Sequence, residues 1–408
     1  MRMFKRKALL LLLLFSALPI TAAQATPVPY SFSFHGAGYG HGVGMSQIGA
    51  RGMALESATA ERILNYYYQG ATVETTTDLI ELRVNVGHLL KSATIKSDTA
   101  SSEILLFSAL DTVTPLARIL PGTQLAISLN GNALRFLAPN LDLTGSKFIL
   151  RWSGTRYLAG APSSIFLGIE KSFTQYRYGQ LNFTAVRSGK ISNIEITNSL
   201  NLHDEYLYGI GEMPTSWPAA ALQAQVIASR TYALSKAGKI RAICDCDLYA
   251  TSLDQAFIGY AKEAEPRYGT LWRSAVDSTT VDSATARAIF YNGKPISAFF
   301  FSSSNGFTEA AANVFGTAFP YLNSVPDAWS ASAVLNKRYV DWTRSITQKV
   351  VAAAFLLPDV QRLRIISESP TGTVTKIQGI SSTGKKVTLK GETFRSRCKL
   401  PSAWFELL

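Results

Sequence analysis

One segment limits the folds open to this chain more than any other: residues 203–233, His-Asp-Glu-Tyr-Leu-Tyr-Gly-Ile-Gly-Glu-Met-Pro-Thr-Ser-Trp-Pro-Ala-Ala-Ala-Leu-Gln-Ala-Gln-Val-Ile-Ala-Ser-Arg-Thr-Tyr-Ala. Gly209, Gly211 and Pro214 confine Glu212 to a tight turn, and Pro218 leads into residues 219–234, a run rich in helix formers. Proline is accepted in a first helical turn because the amide it lacks has no partner there. The chain must therefore turn sharply, present one carboxylate and enter a long helix. That context suits a proton-donating acid aimed into a cleft. Such an acid must stay neutral near physiological pH, which requires an apolar, desolvating pocket. Met213, Pro214 and Trp217 are the neighbours that supply its walls. A nearby helix N-terminus pulls the other way and favours the carboxylate. A capping or salt-bridged glutamate is the plainer reading of the same residues.

The N-terminus carries Arg2, Lys5, Arg6 and Lys7, then an apolar run over residues 8–20, then Ala23-Gln24-Ala25. A basic head, a short apolar stretch and an A-x-A exit describe a secretory signal peptide over residues 1–25, with an uncleaved tether as the alternative. The run is too short to span a bilayer comfortably, so no permanent membrane span is expected. Without those four cations the net charge of +12 becomes 12 − 4 = +8. The remaining basic residues are dispersed, with no zinc-finger or RNP spacing, so nucleic acid is not the expected partner. An anionic envelope polymer outside the cytoplasm fits better, beside a generally basic, solvated surface with no specific partner. Cys244, Cys246 and Cys398 allow at most one internal disulfide. A Cys244–Cys246 bridge closes a strained small ring, whereas Cys398 with either partner is easier to build if the fold brings them together.

Residues 34–54 form a Gly-rich block, Phe-His-Gly-Ala-Gly-Tyr-Gly-His-Gly-Val-Gly-Met-Ser-Gln-Ile-Gly-Ala-Arg-Gly-Met-Ala. Its glycines fit neither G-x-G-x-x-G nor a G-K-[ST] loop, so no nucleotide is expected and no cofactor is assigned. They suit positive φ or close backbone approach around His41. A helix is expected over residues 59–68, stopped by Gly70. Residues 79–86, 125–129, 147–152 and 191–197 read as short strands separated by Gly/Asn/Ser turns. Residues 288–291 and 296–301 flank Asn292-Gly293 and read as a hairpin. Late strands are expected at 387–389 and 404–407. The fold class is α+β, with four parts: the signal at 1–25, the Gly-rich block and its helix at 26–77, a β-rich accessory domain at 78–177, and a mixed helix/strand catalytic domain at 178–408.

Residues 206–233 resemble the signature of the SpoIID/LytB family of sporulation and cell-wall proteins. Tyr178-Gly179-Gln180-Leu181 and the strand after it lead into that signature as in the family. Asp254-Gln255-Ala256-Phe257-Ile258-Gly259 is similar to its Gln-x-Tyr-x-Gly element, with Phe257 in the aromatic place. Tyr291-Asn292-Gly293-Lys294-Pro295-Ile296 and Ser304-Asn305-Gly306-Phe307-Thr308 resemble a later stretch. The resemblance extends over residues 178–408. The block at 40–47, Gly-His-Gly-Val-Gly-Met-Ser-Gln, is also a family element, but in the sporulation proteins it follows the element matched here near Phe394–Phe405. Its place at the front implies a circularly permuted order, with the N-terminal block packing beside the C-terminal strand. Permutation of this kind is tolerated when termini lie close together at the surface.

The resemblance implies lytic transglycosylation of peptidoglycan glycan strands, with Glu212 as the acid, or a non-catalytic role in stimulating a cell-wall amidase. A second carboxylate, if one is used, comes from Asp204, Glu205, Asp254 or Asp277; spacing singles out none. Arg230 lies about three turns along the helix, roughly 18 Å from its start. It either binds a substrate oxygen or carboxylate or staples the helix to a neighbouring carboxylate. Gln225, Tyr232, Gln255, Gln47 and Ser304 are further candidates for sugar contacts. His41 either touches substrate, polarises Glu212, or is a packed, hydrogen-bonded histidine. Ser46-Gln47 suits a helix start. Some sporulation members hold zinc through a Cys/His cluster where Cys244-Asp245-Cys246-Asp247 stands here. With no histidine nearby, a tetrahedral site needs distant partners, so no metal ligand is assigned; a disulfide or free thiols are the alternatives.

Overall fold

The computed structural model describes residues 27–98 and 103–408. The expected signal peptide lies outside them. Among the described residues no helix is long and apolar enough to cross a membrane. Of the described residues 20% are helix and 39% strand, and neither type forms a repeating β-α-β series, which makes the class α+β.

Two antiparallel sheets form a sandwich. The six-stranded one runs in the order Leu141–Gly145, Ala133–Ala138, Leu125–Asn130, Ser92–Ser97, Ile165–Ile169 and Ser172–Tyr176. The seven-stranded one runs Leu248–Tyr249, Glu81–Leu90, Ile191–Asn201, Gln180–Ser188, Lys147–Trp152, Ile104–Ser108 and Ala117–Ile119, its first pair parallel. Inward residues of the two sheets interdigitate, as facing sheets do. The Phe136 ring lies 4.6 Å from Phe148 and 5.1 Å from Phe183 across the gap, centre to centre.

The larger sheet redraws the expected domain map. Gln180–Ser188 and Ile191–Asn201 come from the part assigned to the catalytic domain, yet they pair with Lys147–Trp152 and Glu81–Leu90 from the accessory part. A boundary at 177/178 would cut a hydrogen-bonded ladder, so the β-rich region and the signature region share one sheet.

Beside the sandwich lies a helical layer. Helix α1 (Gln47–Leu55) starts on Ser46, whose hydroxyl accepts the Gly49 N–H at 3.0 Å. Helix α2 (Ala60–Tyr67) is capped by Thr59 in the same way. Both pack on α3 (Ala219–Lys236), as does α4 (Gly269–Asp277). Helix α3 is buried on nearly every side from Ala221 to Ala233, the condition of a central helix and not of an amphipathic surface one.

The Gly-rich block is stitched to distant parts of the chain. Strand Ser31–Gly36 lies between Trp342–Thr347 and Phe405–Leu407 in an antiparallel sheet, with Phe34 opposite Leu407. Beneath it, Phe34, Phe355, Phe394 and Phe405 form a second core. Met45–Ser46 pairs in parallel with Phe300–Phe301. This corrects the expected hairpin: Thr285–Tyr291 turns back only as far as Lys294–Pro295, and residues 300–301 leave to pair with the block. Gly44 makes the approach possible. Its φ is +80°, and a Cβ there would sit 2.0 Å from the Phe299 carbonyl oxygen.

Candidate functional site

Glu212 sits where two open clefts meet. The loop before it is held by the 254–259 segment: Gly211 N–H donates to the Ala256 carbonyl at 2.8 Å, Ile258 N–H donates to the Gly209 carbonyl, and the Ala256 N–H donates to Glu212 Oε1 at 2.6 Å. Oε2 has no hydrogen-bond partner among the described residues. Burial raises the carboxyl above the usual glutamate range, against the smaller opposing pulls of the Ala256 N–H and the Lys262 ammonium. Desolvation wins because one hydrogen bond does not replace the hydration that a carboxylate loses. Lys262 is spent elsewhere, donating to the Met213 carbonyl at 2.5 Å and lying 4.9 Å over the Trp272 ring.

The Gly-rich block supplies the opposite bracket. Gln47, first residue of α1, donates from Nε2 to the Glu212 carbonyl and to Gln225 Oε1, both at 3.1 Å. Gln225 in turn donates to Ser229 on the next turn of α3. One amide thus ties the N-terminal block, the acid's loop and the central helix together.

The first cleft, about 400 Å³, is lined by Tyr39, His41, Phe300, Phe301, Asp254 and Arg395, together with Gln47, Glu212 and Ser302. The second, about 610 Å³, shares those last three residues and extends past Pro214 and Trp217 to Arg51, Lys337, Arg338 and Tyr339. A larger opening of about 720 Å³ lies in the sandwich beside Phe148 and the Arg83–Asp245 pair. It contains none of the acid's neighbours, so volume does not locate the chemistry.

His41 lines the first cleft without touching Glu212. Its Nδ1 accepts the Val43 N–H at 3.1 Å, and the Phe299, Phe301 and Phe315 rings surround it. Burial, with Arg395 nearby, pushes it down to about 3. It is a neutral imidazole, held by the Val43 N–H and hydrogen-bonded to the Phe300 backbone.

Several expected contacts lie behind the cleft. Arg230 is wholly buried, its Nε on Asp78 Oδ2 at 2.8 Å and Nη1 on the Thr279 hydroxyl and Arg287 carbonyl. His203 holds the other oxygen of Asp78 at 2.5 Å. A guanidinium so enclosed needs its partner inside the protein, so Arg230 is the staple and not a substrate ligand. Gln225 and Gln255 are also fully buried, and Gln255 accepts the Tyr206 hydroxyl. Ser304 is buried and donates to Asp327 at 2.7 Å; Ser302, two residues earlier, is the serine at the clefts. Tyr232 reaches the site indirectly, donating to Asp254 Oδ1 at 2.8 Å.

Of the four possible second carboxylates, Asp254 alone lines the acid's cleft. Both of its oxygens are engaged, Oδ1 by Tyr232 and Oδ2 by the Tyr249 N–H and Arg241. Asp277 accepts the Tyr208 hydroxyl, Asp204 accepts the Glu205 N–H, and Glu205 holds the Asn201 N–H and Arg156. These last three line neither of the clefts that meet at Glu212.

The cysteines correct a further expectation. Cys244 and Cys246 are joined to each other, their Cα atoms 5.2 Å apart, while Cys398 is buried and free. Asp245 between them takes a positive φ of 51°. Among the described residues no group of three or more His, Cys, Asp or Glu side chains is arranged to hold a metal ion.

The family model described as SpoIID, Stage II sporulation protein, matches residues 190–285, which hold Glu212, the loop around it, α3 and the 254–259 clamp. A SpoIID region thus spans residues 190–285. The chain is similar to Stage II sporulation protein D of Bacillus subtilis (strain 168), 29% identical over 215 residues, which cover 50% of this chain and 59% of that protein. It is also similar to the Amidase enhancer of the same organism, 33% identical over 116 residues, 28% of this chain and 14% of that protein. An uncharacterised protein of Brachyspira hyodysenteriae is 33% identical over 174 residues, 42% of this chain and 41% of that protein. The chain spans about three fifths of the length of the sporulation protein it matches.

Sequence reasoning missed Ser302, Arg51, Lys337 and Arg338. The adjacent cations at 337–338 were the available signal. Nothing local to them pointed toward Glu212, more than a hundred residues earlier.

Proposed function

We propose that this chain acts on the cell wall by cleaving peptidoglycan glycan strands between MurNAc and GlcNAc, through lytic transglycosylation at Glu212. An extracytoplasmic place of action belongs to the proposal, because that is where the polymer lies. The observation that carries it is the Glu212 carboxyl at the junction of two clefts, raised by burial, with one oxygen fixed by Ala256 and the other unengaged. A long polymer crosses such a junction with one sugar on either side of the acid.

The neutral acid gives its proton to the glycosidic oxygen as the C1–O bond breaks. The resulting carboxylate then takes the proton of the C6 hydroxyl on the same MurNAc, whose oxygen closes on C1 to form the 1,6-anhydro ring. The acid ends the cycle protonated. An intramolecular nucleophile has a high effective molarity, so no water needs activation. Hydrolytic glycosidases use a second carboxylate for that task, and the engagement of both Asp254 oxygens supports a route that does without one. Mass spectrometry of strands incubated with the protein and with Glu212→Gln tests this: anhydro-MurNAc ends are expected from the former alone.

The similarity to the Amidase enhancer favours one further reading. On it, the same clefts hold glycan without cutting it and the chain stimulates a cell-wall amidase. Intact strands retained by both proteins would support that role.

A further inference from the structure

The two clefts that meet at Glu212 differ in charge, and the difference carries an inference that rests on the glycan-cutting reading above. In the His41 cleft every charge is compensated: Asp254 pairs with Arg241, Arg395 pairs with Glu392 at 2.9 Å, and His41 is neutral. Aromatic faces of Tyr39, Phe300 and Phe301 complete it. The other cleft holds Arg51, Lys337 and Arg338, and its lining contains no acid besides Glu212. Among the described residues no carboxylate pairs with any of the three. Arg51 lies 5.3 Å over the Trp217 ring and reaches only the Leu335 carbonyl, at 3.4 Å. Arg338 lies 5.1 Å over Tyr339, and Lys337 is exposed. Three uncompensated cations in a concave lobe, two of them spread on aromatic rings, form a receptor for a carboxylate.

We infer that the lobe of Arg51, Lys337 and Arg338 is a subsite for a carboxylate borne by the muramyl sugar, and that the His41 lobe receives the neutral N-acetylated sugar on the other side of the scissile bond. The strand therefore crosses Glu212 in one direction only. The carboxylate has two chemical sources, the lactyl ether of the sugar itself and a peptide attached to it.

Equilibrium binding to full-length Glu212→Gln protein, which does not turn over, tests this with four ligands: a peptide-free muramyl/glucosaminyl tetrasaccharide, its lactyl methylamide, a peptide-bearing tetrasaccharide and chitotetraose. The free acid is expected to bind about tenfold tighter than the methylamide. Adding Lys337→Gln and Arg338→Gln, both exposed, should remove that gain and leave methylamide and chitotetraose affinity unchanged. A peptide-bearing ligand that gains tenfold over the methylamide, and loses it in the same variant, assigns the carboxylate to the peptide; one with no gain assigns it to the lactyl group. Both sustain the subsite. Equal affinity for the methylamide, the free acid and the peptide-bearing ligand, or a preference that survives the double substitution, overturns the subsite while leaving the glycan cleft intact. Failure of all four ligands to bind removes the glycan reading itself, and the subsite with it.

Discussion

Gln47 donates a hydrogen bond to the backbone carbonyl of Glu212 across 165 residues of chain. The front of the molecule thus fixes the acid of its middle. The same amide also satisfies Gln225 on the central helix. Gln47→Ala leaves the buried Gln225 Oε1 without that donor, at a cost of about 1–3 kcal/mol in denaturant unfolding. Because the acid's loop loses an anchor, kcat should fall about tenfold to a hundredfold, with KM within about twofold. A variant with the parent's kcat would show that the loop is positioned without the block.

The pairing of Arg230 with Asp78 predicts a structural phenotype. Removing one member of a buried pair strands the other charge, so Arg230→Ala should lose about 3–5 kcal/mol of stability. Glycan affinity of the fraction that remains folded should match the parent. A stable Arg230→Ala protein with weakened glycan binding would return the arginine to the site.

Glu212 should cost the fold stability at neutral pH. Its folded pKa lies above the ordinary value of 4.5 because burial disfavours the charged form. Below 4.5 the acid is neutral in both folded and unfolded chains and makes no difference. As pH rises through the raised value, the unfolded chain ionises more readily and folded stability is lost. Glu212→Gln should therefore melt higher than the parent at about pH 7.5, and the two should converge near pH 4. Equal melting temperatures at both pH values would mean that the carboxyl is not desolvated.

His35 links the first strand to both of its neighbours, with Glu406 on Nδ1 at 2.9 Å and Asp341 on Nε2 at 2.5 Å. Those hydrogen bonds raise the imidazole above its ordinary 6.5. The contribution is present in full below that value and is lost as pH rises through the raised one. Amide exchange, corrected for intrinsic rates, should show Ser31–Gly36 less protected at about pH 9 than at about pH 6. His35→Gln should flatten that difference; an unchanged profile in the variant would assign the effect to another group.

What was legible in the sequence was local. Thr59 and Ser46 announced their helices, Lys147–Trp152 its strand, and the Gly/Pro-bounded turn its acid. Burial was not legible, because it depends on partners far along the chain. Arg230 meets Asp78 only after the sandwich and helical layer assemble, and Ser304 is drawn to Asp327 while Ser302 faces the clefts. Chain strain disfavours the Cys244–Cys246 ring, yet it closes, with Asp245 at a positive φ. The hairpin at Asn292-Gly293 stopped early because Phe300–Phe301 pairs with the block 250 residues upstream, a competition that no window around the turn contains.

The account turns on whether the C6 hydroxyl, and not water, captures the sugar that Glu212 releases. Digestion of purified glycan strands in oxygen-18 water, followed by mass spectrometry of the new ends, reads this directly. The account predicts 1,6-anhydro-MurNAc ends that carry no heavy oxygen and are absent with Glu212→Gln. Reducing ends labelled with oxygen-18, or strands left uncut by the parent protein, would contradict it.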